Sequence, residues 1–328
     1  MSYPSSSGET VSNQLIGRFS SGAWPWVMLV ASAFIISTNH ILGRYVSGEI
    51  PPFGLAFWRV VVGAAVVLPF AWKELINHRE TIQQHWKLFT LMSIALMPVG
   101  NALVYVSYNF TSVINGSLIL SSQPAITIFA AWLILGHTIN KFQLFGTAVA
   151  IIGVLVIILR GDITQLSSFT IHSGDLIMIG GTLGFSFYTA MIPRVPPTIG
   201  PVLILVVVQI LAIAILIPFY FVETIVYKPV PINIESIMVI GWVGTAIAVV
   251  AVGLNNIAVL ALGPAKATTG LYCRAIFTTA MAMILLGEPL ETFHIPAIVL
   301  IMIGIFFVTR GKNRPREQVS TQLTEKSN

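Results

Sequence analysis

Of the 328 residues 55% are hydrophobic and only 9% are charged, with a mean hydropathy of +0.87 and a net charge of +5. Soluble proteins carry about 25% charged residues, so water alone cannot solvate this surface, and lipid is the solvent the composition demands. The basic excess then belongs to a membrane and calls for no nucleic-acid partner, and the single cysteine, Cys273, excludes an intrachain disulfide.

Residues 1–23 read as a polar, Ser-rich cytoplasmic tail and not as a cleaved signal peptide, since Arg18 is their only cation. Apolar windows of span length then recur at 25–44, 52–72, 88–108, 116–135, 142–159, 174–192, 201–221, 236–257, 264–286 and 294–309. Backbone polar groups cannot stay unpaired in lipid, so each window predicts a helix. The expected fold is an all-α membrane protein of ten transmembrane helices. The longest loop, 73–87, is amphipathic and predicts a helical turn or two at the surface.

The polar residues inside these windows are the candidate site. The first helix offers Asn39 and His40 near its outer end; His40 is either a proton acceptor or a hydrogen-bonded packing residue. In the second, Arg59 lies about seven residues from the end, within reach of snorkelling or of helix-end carbonyls, and reads as a structural intramembrane charge. Asn101, Tyr105 and Tyr108 are spaced to share one face of the third helix, after a kink expected at Pro98 and Gly100. Gln123 and Pro124 interrupt the fourth, and Pro124 frees the carbonyl of Leu120. Ser186 and Tyr188 in the sixth helix, Gln209 in the seventh, and Asn255 and Asn256 in the eighth follow. Small-residue pairs, Gly180 with Gly184 and Gly241 with Gly244, predict close helix approach. Trp58 and Tyr272 either stack on a ligand or pack between helices.

Arg274, in "TTGLYCRAIFTTAMAMILLGEP", is about 15 Å into the ninth helix at 1.5 Å per residue, near the midplane. No Asp or Glu occupies the middle of any window. Two readings stand. Either the guanidinium faces a central cavity and binds an anionic group of a solute, or it bonds to backbone carbonyls and amides of neighbouring helices.

Lysine and arginine orient the chain. With the N-terminus in the cytoplasm, twelve of them (Arg18, Lys73, Arg79, Lys87, Lys141, Arg194, Lys266, Arg310, Lys312, Arg314, Arg316 and Lys326) lie inside, against Arg44, Arg160 and Lys228 outside. Both termini are then cytoplasmic. The segment 135–161 also repeats at 286–311: Leu135, Gly136, Phe142, Ile152 and Gly153 match Leu286, Gly287, Phe293, Ile303 and Gly304 at an offset of 151. Five spans separate the copies, so the second is inverted, the pattern of carriers with a midplane site between halves. The halves are expected at 24–161 and 174–311, with a cytoplasmic tail at 312–328. At the same offset Gln123 is the counterpart of Arg274.

Three stretches carry a resemblance: "PPFGLAFWRVVVGAAVVLPFAW" (51–72), "YVSYNFTSVINGSLILSSQPAITIFAAWLILG" (105–136) and "LNNIAVLALGPAKATTGLYCRAIFTTAMAMILLGEPL" (254–290). They resemble the second, third-and-fourth, and eighth-and-ninth helices of the drug/metabolite transporter superfamily, in its branch with two EamA domains. The resemblance implies export of small metabolites, such as amino acids, or of toxic compounds. Import of a similar solute, or a membrane protein that transports nothing, are the alternatives. One departure is His137, where the family pattern has the glutamate that Glu288 keeps in the second half. No metal set, nucleophile–base pair or P-loop occurs, so neither an enzyme nor a cofactor is expected. The partners expected are a small solute and the bilayer; the residues do not fix an oligomeric state.

Overall fold

The computed structural model describes residues 23–136, 139–162, 172–262 and 269–310. The tails, His137, Lys266 and the loop 163–171 lie outside the described residues. The ten expected rods are present. They are α1 (Trp24–Tyr45), α2 (Pro52–Asn77), α3 (Trp86–Ser107), α4 (Val113–Ser121 and Gln123–Leu135), α5 (Lys141–Ile158), α6 (Ser173–Arg194), α7 (Pro201–Val226), α8 (Ile234–Trp242, Val243–Ala251 and Val252–Leu262), α9 (Thr269–Leu285) and α10 (His294–Arg310). Seven are long and apolar enough to cross a bilayer, and α4, bent by 43° at Ser122, makes an eighth. The last two, α9 and α10, have 17 residues each, the lower limit for a span. A short helix, Arg79–Gln84, occupies the amphipathic loop.

Local chemistry sets the helix ends. Ser112 and Asn140 cap α4 and α5 by accepting from Asn115 N and Gln143 N. Pro124, without an N–H, interrupts α4 where the sequence suggests, as a break at Ser122. Pro98 does less: the third helix passes through a π-helical stretch, Ala95–Ala102, that absorbs it.

The halves correspond element by element. A second π-helical stretch, Val243–Ala251, lies in α8, five spans after the first. Gly136 and Gly287, 151 residues apart, both adopt left-handed backbone, at φ of 66° and 67°. Packing obeys the same correspondence. Helix α5 lies along α10 and α2 along α7, while α1 against α8 and α9 is matched by α6 against α3 and α4. Each of these contacts is either between counterparts or has a counterpart. An odd number of spans per half makes the second half run in the opposite sense.

Glycine lets α5 and α10 touch by their backbones. A Cβ on Gly146 would sit 2.6 Å from the Gly304 carbonyl oxygen, and one on Gly153 3.1 Å from that of Ala297. Gly184 similarly meets the α3 backbone at Ala95 and Gly100, and Gly244 meets α2 at Val62 and Arg59, whereas Gly241 faces open space. Large apolar side chains such as Phe70, Phe142, Leu144, Phe221 and Ile225 are exposed on the outside, as a lipid solvent requires. Exposed Trp24, Trp26, Trp72, Trp86 and Trp132 gather at one end of the bundle, where an aromatic belt meets the headgroups.

Candidate functional site

A polar cavity of about 270 Å³ lies between the halves. Helices α1, α2, α3, α4, α6, α7, α8 and α9 line it; α5 and α10 do not. A larger furrow of about 650 Å³ runs between α1, α8 and α9. Its walls are almost wholly apolar, and Tyr45, Met238 and Leu285 there are exposed. It is a groove in the lipid-facing surface, so the chemistry belongs to the smaller, polar cavity.

Asn39, His40, Arg59, Asn101, Gln123, Tyr188 and Arg274 line that cavity, together with Thr189 and Gln209. Of the other expected residues, Tyr105 and Tyr108 stand one shell behind the wall. Tyr272 packs against the apolar core formed by α4, α5 and α10. Asn255 is half-buried in α8 away from the lining, and the side chain of Asn256 lies outside the described residues. Trp58 joins a lipid-side aromatic cluster with Phe57 and Tyr220, its ring nitrogen 3.4 Å from the Tyr220 hydroxyl.

The Arg59 head does not snorkel, and among the described residues it reaches no helix-end carbonyl. It is buried, and its Nη1 donates to Asn101 Oδ1 and, at 3.0 Å, to the Tyr105 hydroxyl. The Tyr105 hydroxyl in turn donates to Asn39 Oδ1 at 2.7 Å. Asn101 is steadied by its own amide, which donates to the Leu96 carbonyl at 2.8 Å within the π-helical stretch. These neutral acceptors leave the charge of Arg59 uncancelled. Alongside, the Tyr108 hydroxyl and His40 Nδ1 share a hydrogen bond of 2.8 Å. The face predicted for Asn101, Tyr105 and Tyr108 therefore divides among three partners, Arg59 on α2 and Asn39 and His40 on α1.

Arg274 is held by its backbone and free at its head. Ser37 donates to the Arg274 carbonyl at 3.1 Å and to the Ala33 carbonyl at 2.8 Å. Ser186, 149 residues later, donates to the Gln123 carbonyl at 3.3 Å and to that of Thr182 at 2.8 Å. The two halves thus fix the counterpart residues Arg274 and Gln123 with the same pair of bonds. Among the described residues no group accepts a hydrogen bond from the Arg274 guanidinium. Gln123 makes one long contact, Nε2 to the Thr189 hydroxyl at 3.4 Å. Both amide atoms of the fully buried Gln209 lack a partner among the described residues.

One end of the bundle is clamped shut. Glu288 accepts from Val113 N at 2.8 Å and Ile114 N at 3.0 Å, capping α4, and lies 3.9 Å from Arg44. Glu223 accepts from Phe53 N at 3.1 Å and Gly54 N at 2.7 Å, capping α2. Lys228 donates to the Gly48 carbonyl and Arg44 to that of Tyr108. Negative charge at a helix start meets orphan amides and the positive end of the dipole. At the same end His294 Nδ1 accepts from Glu291 N at 2.8 Å, so its proton sits on Nε2 and is given to Asn115 Oδ1 at 2.8 Å. Buried Asp175 accepts from the Thr111 hydroxyl. Sequence reasoning passed over Glu223, and nothing in its apolar surroundings marks it as a cap. Glu288 it singled out, though the helix it caps belongs to the other half.

A family model described as the EamA-like transporter family matches residues 23–159 and 172–310. An uncharacterized transporter of Bacillus subtilis, YyaM, is 26% identical over 85% of this chain and 92% of its own. An uncharacterized transporter of Archaeoglobus fulgidus is 21% identical over 88% and 98%. A solved crystal structure superposes with a TM-score of 0.53 at 16% identity, covering 88% of this chain and 97% of that one; it shares the fold.

Proposed function

The chain belongs to the EamA-like transporter family, and from that premise we propose that it is a secondary-active carrier that exports a small solute bearing an anionic group. It is a multi-pass membrane transporter, not an enzyme. The observation that carries the finer reading is the Arg274 guanidinium: it lines the cavity between the halves and has no acceptor among the described residues. A charged group inside a membrane-spanning bundle is costly unless something pairs with it, and a carboxylate of the solute would pair bidentately. The volume of about 270 Å³ is at the small end of ligand sites, roughly 300–1,000 Å³, and favours a metabolite over a bulky drug.

The pairing of the halves supports alternating access: one end is clamped, and the cavity lining includes Leu205 and Arg274, near the starts of α7 and α9 at the other end. The excess of lysine and arginine supports a cytoplasmic place for that end and for both termini. Export is the direction the family resemblance implies; uptake and efflux measured in the same vesicles separate it from import. Arg274→Ala should lower transport at least about tenfold, the value of one charge-assisted hydrogen bond, with the protein still monodisperse in detergent. An unchanged rate removes Arg274 from the site.

A further inference from the structure

Within that anion-carrier reading, on which this step rests, we infer that the solute is a small organic acid without an ammonium group, and that a dicarboxylate suits the cavity best. The lining holds two permanent positive charges, Arg59 and Arg274, and no Asp or Glu among its described residues. Neither arginine has an ion-pair partner among the described residues. Three carboxylates at the clamped end are engaged outside the cavity: Glu288 and Glu223 hold helix amides, and Asp175 accepts from Thr111.

An amino acid would bring its own ammonium group into this field. That group has three donors and needs acceptors. Asn101 Oδ1 is taken by Arg59 and Asn39 Oδ1 by Tyr105. Ser37 and Ser186, whose hydroxyls donate to carbonyls, do not line the cavity. What remains is neutral, chiefly the amides of Gln123 and Gln209 and the Thr189 hydroxyl, and among the described lining residues the rings whose faces attract a cation are Phe185 and Tyr188. Neutral dipoles and ring faces cannot offset two guanidinium ions in a low-dielectric site. A second carboxylate does, and a hydroxyl on the carbon chain can both give to and accept from the unpartnered Gln209 amide.

Malate and aspartate test this directly, because they differ only by hydroxyl against ammonium; lactate and alanine repeat the comparison with one carboxylate. Binding of all four to the full-length protein and their counterflow in proteoliposomes would be measured. Malate should bind at least about tenfold tighter than aspartate, and lactate tighter than alanine. Arg59→Gln should erase most of the preference for malate over lactate, while Arg59→Lys, which keeps the charge and controls for folding, should retain it. If aspartate equals or exceeds malate and Arg274→Ala abolishes that binding, the organic-acid inference is wrong and the anion reading stands. If none of the four binds, or binding survives Arg274→Ala unchanged, the anion reading fails and takes the inference with it.

Discussion

A single buried guanidinium costs a membrane helix several kcal/mol on most estimates, and this chain keeps two facing one cavity. Arg59 is tolerable because Asn101 and Tyr105 accept from it and Asn39 completes the chain of bonds. Asn101→Leu removes the nearer acceptor and should destabilise the protein by about 2–3 kcal/mol, the worth of a hydrogen bond to a charged group; a lowered melting temperature in detergent would register it. The residue types of this network were legible in the sequence, since polar side chains in apolar windows stand out. Its wiring was not, because which partner Tyr105 or Tyr108 meets depends on helix rotation, and the π-helical stretch resets that rotation partway along α3. Tyr272, equally polar by composition, packs against the apolar core, and Asn255 lies outside the cavity lining.

Whole helices were easier to read than their ends. Apolar length alone located ten rods, but α2 runs on to Asn77 and α7 to Val226, because a helix does not stop where the hydrocarbon does. The start of α4 falls at Val113, earlier than hydropathy places it, since Ser112 supplies the cap. Between α5 and α10 there are no side chains to trade at Gly146, Gly153 and Gly304, only backbone against backbone. Gly146→Val should therefore force the pair apart and cost about 1–3 kcal/mol or more, seen as a lower unfolding midpoint. Because neither helix lines the cavity, solute affinity per folded molecule should change little.

Across the molecule the correspondence of the halves is close in packing and broken at the ends. Pro52 and Pro201, Pro69 and Pro218, and Glu74 and Glu223 are each 149 residues apart. Yet Glu223 caps α2 while Glu74 is exposed and α7 begins with no side-chain cap. Among the described residues the glutamate caps that join the halves are made at one end, while at the other Arg194 donates to the Ile134 carbonyl. Glu223→Ala should loosen the closed end. In a Cys273→Ser background, a thiol at Thr189→Cys should be labelled from the cytoplasmic side in the parent, and additionally from outside once Glu223 is gone. Labelling from outside alone in the parent would reverse the proposed orientation. The repeat was legible as matched residues at a fixed offset; the unequal ends were not, because a cap between halves joins residues more than 160 positions apart.

Both of those carboxylates come late in the chain, and both serve helices made early. A nascent protein whose first five rods have already entered the membrane still waits for Glu223 to finish α2, and for Glu288 to finish α4. Translation halted between the two would leave a first half with one start secured and the other bare, which is where a quality-control protease would find its substrate.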